Sequence, residues 1–171
     1  MLSWQWDAWH QLKADDVHAM LALRQTVFIV EQQCFYLDID DADQRAFHLL
    51  GWQNHACESA PGGQRRVLAA YLRVLPPGVK YIECALGRVV TAPSVRGTGL
   101  GRLLMAEGLR WASEQFAGLP IKISAQLRLQ RFYEHFGFAI VSMPYDEDGI
   151  VHVEMLREPG LLIEDRKALS A

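Results

Sequence analysis

The chain has 171 residues, half of them hydrophobic, which is enough apolar side chain to bury a full core and points to one domain. Seventeen basic against twenty acidic residues leave a net charge of -3 with no basic face, which argues against a general nucleic-acid binder or a polybasic membrane surface. Cys34, Cys57 and Cys84 share no ligand spacing, no apolar run reaches membrane-spanning length, and Asp7, Asp15 and Asp16 interrupt the amino terminus; the expectation is a cytoplasmic protein with no disulfide framework, metal site, signal peptide or membrane partner.

Ser3 to Trp9 alternates well enough for an edge strand, with its tryptophans packing rather than binding. From an N-cap at Asp15 or Asp16, Val17, Met20, Leu21, Val27 and Phe28 recur at helical spacing through about Val30. Arg24 lies on or beside that apolar stripe, where a charge needs a partner or an anionic ligand unless it snorkels to water. The loop that follows carries Asp38, Asp40, Asp41 and Asp43 within six positions. Two readings of it are open: a solvated acidic loop, or a negative field that draws an amine into a cleft. Its spacing is not that of a calcium loop.

Ala46 to Trp52 and Arg66 to Leu75 read as a hairpin with a loose, Gly- and Pro-containing connection. His48 stands between apolar neighbours in the first of these strands, and Glu83 stands just upstream of the next. Leu86 to Arg102 then reads as a buried strand, a sharp turn and the opening of a helix. Val89, Val90 and Thr91 suit a pleated surface, and Pro93 stops the ladder. In Arg96-Gly97-Thr98-Gly99-Leu100-Gly101 the alternate glycines let backbone N–H groups approach a bulky anion, and the helix dipole adds to the attraction. Arg96 and Arg102 flank the turn with charge. No Gly-Lys-Ser/Thr follows, and the third glycine of a dinucleotide fingerprint would fall at Arg102, so neither nucleotide motif fits. A turn that merely lets strand and helix pack closely is the alternative at this point.

The helix after the turn carries Leu100, Leu103, Leu104, Trp111, Ala112 and Phe116 as one stripe, with Gly118 and Pro120 to stop it. Ile121 to Ala125 is a short strand, and the strand-helix-strand order implies a parallel pair. Gln126 to Phe136 reads as a helix of about three turns ended by Gly137. A hairpin from Ala139 to Val153, turning through Asp146 to Gly149, completes the sheet; residues from Glu158 onward read as a surface tail.

Arg96-x-x-Gly-x-Gly, followed about thirty residues later by Phe132-Tyr133-Glu-His-Phe-Gly-Phe138, resembles the paired signatures of the GCN5-related N-acetyltransferase (GNAT) superfamily. Arg24-Gln-Thr-Val-Phe28, Tyr36-Leu-Asp-Ile-Asp40, His48-Leu-Leu-Gly-Trp52 and Glu147-Asp-Gly-Ile-Val-His152 are similar to its ElaA-like branch. The resemblance implies an α/β (α+β) single domain over residues 1–158, with 159–171 as tail. Its mixed central sheet, with helices on both faces, is splayed between the two parallel strands ending near Thr91 and Ala125.

The implied cofactor is acetyl-coenzyme A, held by Val89, Val90 and Thr91 and by Arg96, Gly97, Thr98, Gly99, Leu100, Gly101 and Arg102, with Gln126, Phe132 and Tyr133 along the arm. Exposed backbone at Val89 to Thr91 would pair with the pantetheine amides, and an amide near Val90 would face the developing oxyanion. Tyr133 takes the position that commonly protonates the departing thiolate. Gln126 and Leu129 depart from the family's usual Asn and Ala. The acceptor is an amine, of a small molecule or a protein, with Arg24, Phe28, Asp38, Asp40, His48 and His152 as candidate contacts. Glu31 is the favoured general base, ahead of Glu83, His48 and His152. No nucleic acid enters the scheme, and a homodimer is compatible with it. Acyl-homoserine lactone synthesis and a non-catalytic acyl-coenzyme A-binding module are the alternatives.

Overall fold

The structure, a computed structural model, describes residues 1–56 and 63–160. Strand β1 (Leu2–Ala8) lies at the sheet edge, as its alternation predicts, and its Trp6 stacks on Trp111 with ring centroids 4.3 Å apart. Helix α1 (Ala14–Arg24) begins earlier than the expected aspartate cap. Lys13 is the N-cap, and Asp16, in the first turn, reaches back to accept the Lys13 N–H at 3.3 Å while its charge complements the helix dipole. Beyond Arg24 the helical path widens into π turns over Gln25–Glu31, with Gln32 N–H donating to Val27 O at 2.9 Å.

Strands β2 (Phe47–Ala56), β3 (Gln64–Leu75) and β4 (Cys84–Thr91) follow as an antiparallel set. The hairpin's connection, including Cys57, lies outside the described residues. Helix α2 (Leu100–Gln115) crosses to β5 (Ile121–Gln126), which is parallel to β4. The helix expected from Gln126 is shorter than three turns. Gln126 stays in the sheet, in register with His152, and a 3-10 turn at Leu127–Leu129 precedes α3 (Gln130–Glu134). The closing strands are β6 (Ala139–Ile140), β7 (Tyr145–Glu147) and β8 (Ile150–Arg157). Asp148 and Gly149, at φ 55° and 80°, make the β7–β8 turn, a conformation that matches strand twist. The eight-stranded sheet runs β1-β2-β3-β4-β5-β8-β6, with β7 on β8. Of the expected tail, residues 161–171 are outside the described set.

Alternation in the strands sends successive side chains to opposite faces. Leu49, Leu72 and Leu86 meet Leu104, Met105 and Leu109 of α2 on one side, whereas Leu50, Tyr71 and Val90 meet Met20, Leu23 and Val27 on the other. Helices therefore cover both faces, as a mixed α/β sheet requires.

Two irregularities open this sheet. Between the pairs Tyr71↔Val90 and Arg73↔Gly87, Leu72 faces two residues of β4, Arg88 and Val89. That is a β-bulge, and Arg88 takes the left-handed conformation at φ 54°. Further, β4 and β5 pair only at Cys84↔Ile121 and Ala85↔Lys122. Past those residues the parallel strands part, where the splay is expected.

Candidate active site

The parted strands enclose a cleft of about 630 Å³. Gly87, Arg88 and Val89 line it from β4, Ile123, Ser124 and Gln126 from β5, and Tyr133 from α3. Phe28, Gln32, Cys34 and Tyr36 wall one side, and Glu147, Ile150 and His152 another. On the side facing the cleft, β4 beyond Ala85 has no strand partner among the described residues, so its N–H and C=O groups are open to an added strand-like ligand.

At one end of the parted strands stands the glycine turn. Gly97 and Gly99 adopt φ 78° and 85°, and nothing lies within 4 Å of the Cβ either would carry. Gly99 is the N-cap of α2 and its carbonyl accepts from Arg102 N–H at 2.9 Å and Leu103 N–H at 3.2 Å. The earlier N–H groups of the helix have no partner within it. Thr98 Oγ1 donates to Val95 O at 2.6 Å, which tightens the turn, and Leu100 is buried beneath it. The cradle offers a pyrophosphate a positive dipole and open glycine backbone, with Arg102 in the helix's first turn and Arg96 paired to Glu31 nearby.

Tyr133 is only 7% exposed yet lines the cleft. Its ring packs edge-on against Phe132 and Phe138, with centroids 5.1 and 6.1 Å away. Burial pushes the phenol up to about 12, so it carries its proton at neutral pH. No hydrogen bond holds that hydroxyl among the described residues. Phe132, in edge-on contact with that ring, is not among the residues that line the cleft. Gln126 Nε2 donates to Gln32 Oε1 at 3.1 Å, while its own Oε1 is buried without a partner among the described residues. An amide N–H in the cleft would satisfy that oxygen, which otherwise costs roughly 1–3 kcal/mol.

The acidic loop is where the expectation changes most. Arg24, fully buried, donates from Nε to Asp38 at 2.8 Å and from Nη1 and Nη2 to Asp43 at 2.8 and 3.0 Å. Arg73 pairs with Asp40 at 2.6 Å and with Asp43 at 2.7 Å; Arg88 lies 2.6 Å from Asp38 and 3.3 Å from Asp40. Three guanidinium groups thus neutralise three carboxylates. Burial alone would raise Asp43, but the hydrogen bonds and charges of Arg24 and Arg73 hold its carboxyl below the usual range. Arg24 therefore neither snorkels nor lines the cleft. Asp38 is buried with its charge paired inside the fold, whereas Asp40, though paired with Arg73, still lines the cleft.

His48 is corrected on the same ground. It is fully buried, does not line the cleft, and has both ring nitrogens engaged: Nε2–H donates to Asp43 O at 3.0 Å, and Nδ1 accepts from the Tyr71 hydroxyl at 2.7 Å. Burial pushes its pKa down to about 4. Glu31 is unsuited to the base role for a different reason. It pairs with Arg96 through both oxygens, at 2.7 and 2.8 Å, beside the glycine turn, and that bond holds its carboxyl below the usual range. A base needs the opposite shift. Glu83 does not line the cleft either.

His152 remains. It lines the cleft on β8, with Nδ1 2.8 Å from Ile150 O and Glu147 Oε2 4.0 Å from the same nitrogen. Tyr145 stacks beside it at 6.2 Å. Ser124 joins the two neighbours, donating to Glu147 at 2.8 Å and lying 2.6 Å from the Tyr145 hydroxyl.

A parallel pair that parts around a cleft, with a glycine turn and helix start at one end, is the arrangement expected of a GNAT-type N-acyltransferase. The description "Acetyltransferase (GNAT) domain" matches residues 78–159. The chain belongs to the GCN5-related N-acetyltransferase superfamily, in its ElaA-like branch. ElaA of Escherichia coli is 37% identical, covering 92% of this chain and 97% of that protein. Its crystal structure matches with a TM-score of 0.81 at 36% identity, over 92% of this chain and 100% of that one. A UPF0039 protein of Synechocystis is 39% identical over 91% of this chain and 94% of its own. An acyl-CoA N-acyltransferase from Pseudomonas aeruginosa matches with a TM-score of 0.81 and 36% identity, covering 92% of this chain and 99% of that one.

Proposed function

We propose that the protein transfers the acetyl group of acetyl-coenzyme A to a primary amine, with Tyr133 as the acid that protonates the departing sulfur. The observation that carries this reading is a buried, protonated phenol without a hydrogen-bond partner among the described residues, set in the same cleft as the unpaired edge of β4. The thioester, when bound, supplies an activated acyl group, so the chain needs to bind, orient and move protons. Backbone N–H groups from Gly97 to Gly101 hold the pyrophosphate, with Arg102 adding charge and Arg96 adding it on exchanging Glu31 for phosphate. Val89, Val90 and Thr91 present backbone to the pantetheine arm, and Gln126 Oε1 accepts one of its amide protons. An N–H near Val90 faces the acyl oxygen as negative charge develops there. Phe28 and Tyr36 form the wall on the acceptor side.

The test is release of coenzyme A thiol from acetyl-coenzyme A across a panel of primary amines, with the acetylated amine identified by mass. Amine-dependent release supports the reading. A melting-temperature rise with acetyl-coenzyme A but no release for any amine would make the protein a binding module, and product only with S-adenosylmethionine would favour lactone synthesis.

A further inference from the structure

We propose that His152 is the base that takes the acceptor's proton, and that Glu147 is its positioning residue. This rests on the acetyl-transfer reading above and assigns the role it leaves open. The Ile150 carbonyl, 2.8 Å from Nδ1, can only accept, so Nδ1 carries the hydrogen and Nε2 keeps its lone pair. Stacking with Tyr145 and the strand register opposite Gln126 hold the ring at the end of β5 that leads into α3 and Tyr133. Base and acid thus border one cleft from two elements.

Once Nε2 takes the proton, the ring's Nδ1–H faces Glu147 Oε2 at 4.0 Å, with opposite charges side by side. Ser124 fixes the carboxylate by donating to the same oxygen. The other titratable groups on elements packed here are Tyr145 on β7, Asp148 in the turn, Tyr133 on α3, and Lys122 on β5, which is paired with Glu154 at 2.8 Å. The facing wall adds Cys34, Tyr36, Asp41, Lys80 and Tyr81 to the already paired Arg73, Arg88 and Asp40.

In the step itself, the acceptor ammonium gives one proton to His152 Nε2. The freed nitrogen lone pair forms the bond to the acyl carbon while the carbon–sulfur bond breaks, and the electron pair departing on sulfur takes a proton from Tyr133. The nitrogen loses its remaining extra proton to solvent as the amide forms, solvent reprotonates Tyr133, and His152 releases its proton to solvent. Ammonium and thioester become amide, thiol and one proton.

Two measurements test the role. Long-range ¹H–¹⁵N spectra of ¹⁵N-histidine protein, assigned with His152→Gln, should show His152 as the Nδ1–H tautomer without any ligand. The pH profile of thiol release, with the best amine of the panel, should lose ~10²-fold in kcat/KM at neutral pH in His152→Gln while the acetyl-coenzyme A melting shift persists. In Glu147→Gln kcat should fall while the amine KM and the acetyl-coenzyme A melting shift stay at wild-type values. An Nε2–H tautomer, or a wild-type limb and rate in His152→Gln, overturns the role and leaves acetyl transfer standing. Absence of turnover in the wild type overturns acetyl transfer, and this role with it.

Discussion

Arg88 and Asp38 lie 2.6 Å apart across the root of the cleft, an ion contact that joins the β4 bulge to the loop following the π turns. Arg88 Nε is not aligned for a hydrogen bond there, although Nη2 donates to the Asp38 carbonyl at 3.1 Å. The guanidinium also covers the Tyr36 ring, 5.2 Å from its centroid. A left-handed non-glycine residue costs roughly 1–2 kcal/mol, and these contacts hold it in place. The bulge lies on the stretch of β4 that departs from β5, and Arg73, Arg88 and Asp40 of the ion network line the cleft that opens there.

Two substitutions at Arg88 separate charge from backbone strain. Arg88→Ala should lose about 2–4 kcal/mol, below the upper range for a buried pair because the side chain is partly exposed. Arg88→Gly loses the same contacts but relieves the positive φ, so it should melt higher than Arg88→Ala by roughly 1 kcal/mol. Thermal melts that rank them in reverse would mean the bulge is not under strain.

Acid stability should follow His48. The unfolded chain protonates this imidazole near pH 6.5, whereas the folded chain does so only near 4, so between those values the unfolded state binds more protons. Stability is full above about pH 6.5 and falls as pH drops, by about 3 kcal/mol on this group alone. Asp43, with its lowered carboxyl pKa, adds a loss in the same direction at lower pH. Urea unfolding at pH 7 and pH 5 should show the decline, and His48→Gln should flatten it. An equally steep decline in that variant would assign the effect elsewhere.

The proposed pyrophosphate cradle is tested at Gly99. A valine there meets no neighbour, but its β-branched side chain is forced to φ 85° and projects into the space a pyrophosphate would fill. Gly99→Val should fold with a modest loss and lose the melting shift given by acetyl-coenzyme A. A full shift would move the ligand off this turn.

What could be read from the sequence was local. The glycine turn announces itself because positive φ and an unpartnered helix start need particular residues at fixed spacing, and the Phe132-Tyr133 run sits one helix later in the same chain order. The tryptophans of β1 pack, as their alternation suggests. The ion network escaped because it is assembled by the fold. Arg73 and Arg88 lie thirty or more residues from Asp40 and Asp43, and only Arg73, placed between Leu72 and Val74 in an apolar run, hints at a buried charge. Four aspartates without their partners look like an open negative field. Glu31 was misleading for the same reason, since its partner Arg96 is brought beside it from the far side of three strands. The shortened α3 reflects tertiary pairing of Gln126 with His152, which overrides the helical pattern around it.

The most direct measurement is steady-state turnover of Tyr133→Phe with acetyl-coenzyme A and an amine that the wild type accepts. Removing only the hydroxyl leaves the ring packed on Phe132 and Phe138, so fold and acetyl-coenzyme A affinity should persist. General acid help is typically worth ~10²–10⁴ in rate, with the low end expected for a thiolate that is already a fair leaving group. The account predicts a fall in kcat of at least about tenfold, with the melting shift unchanged. Wild-type kcat at every pH would contradict it and leave Tyr133 as a packing residue.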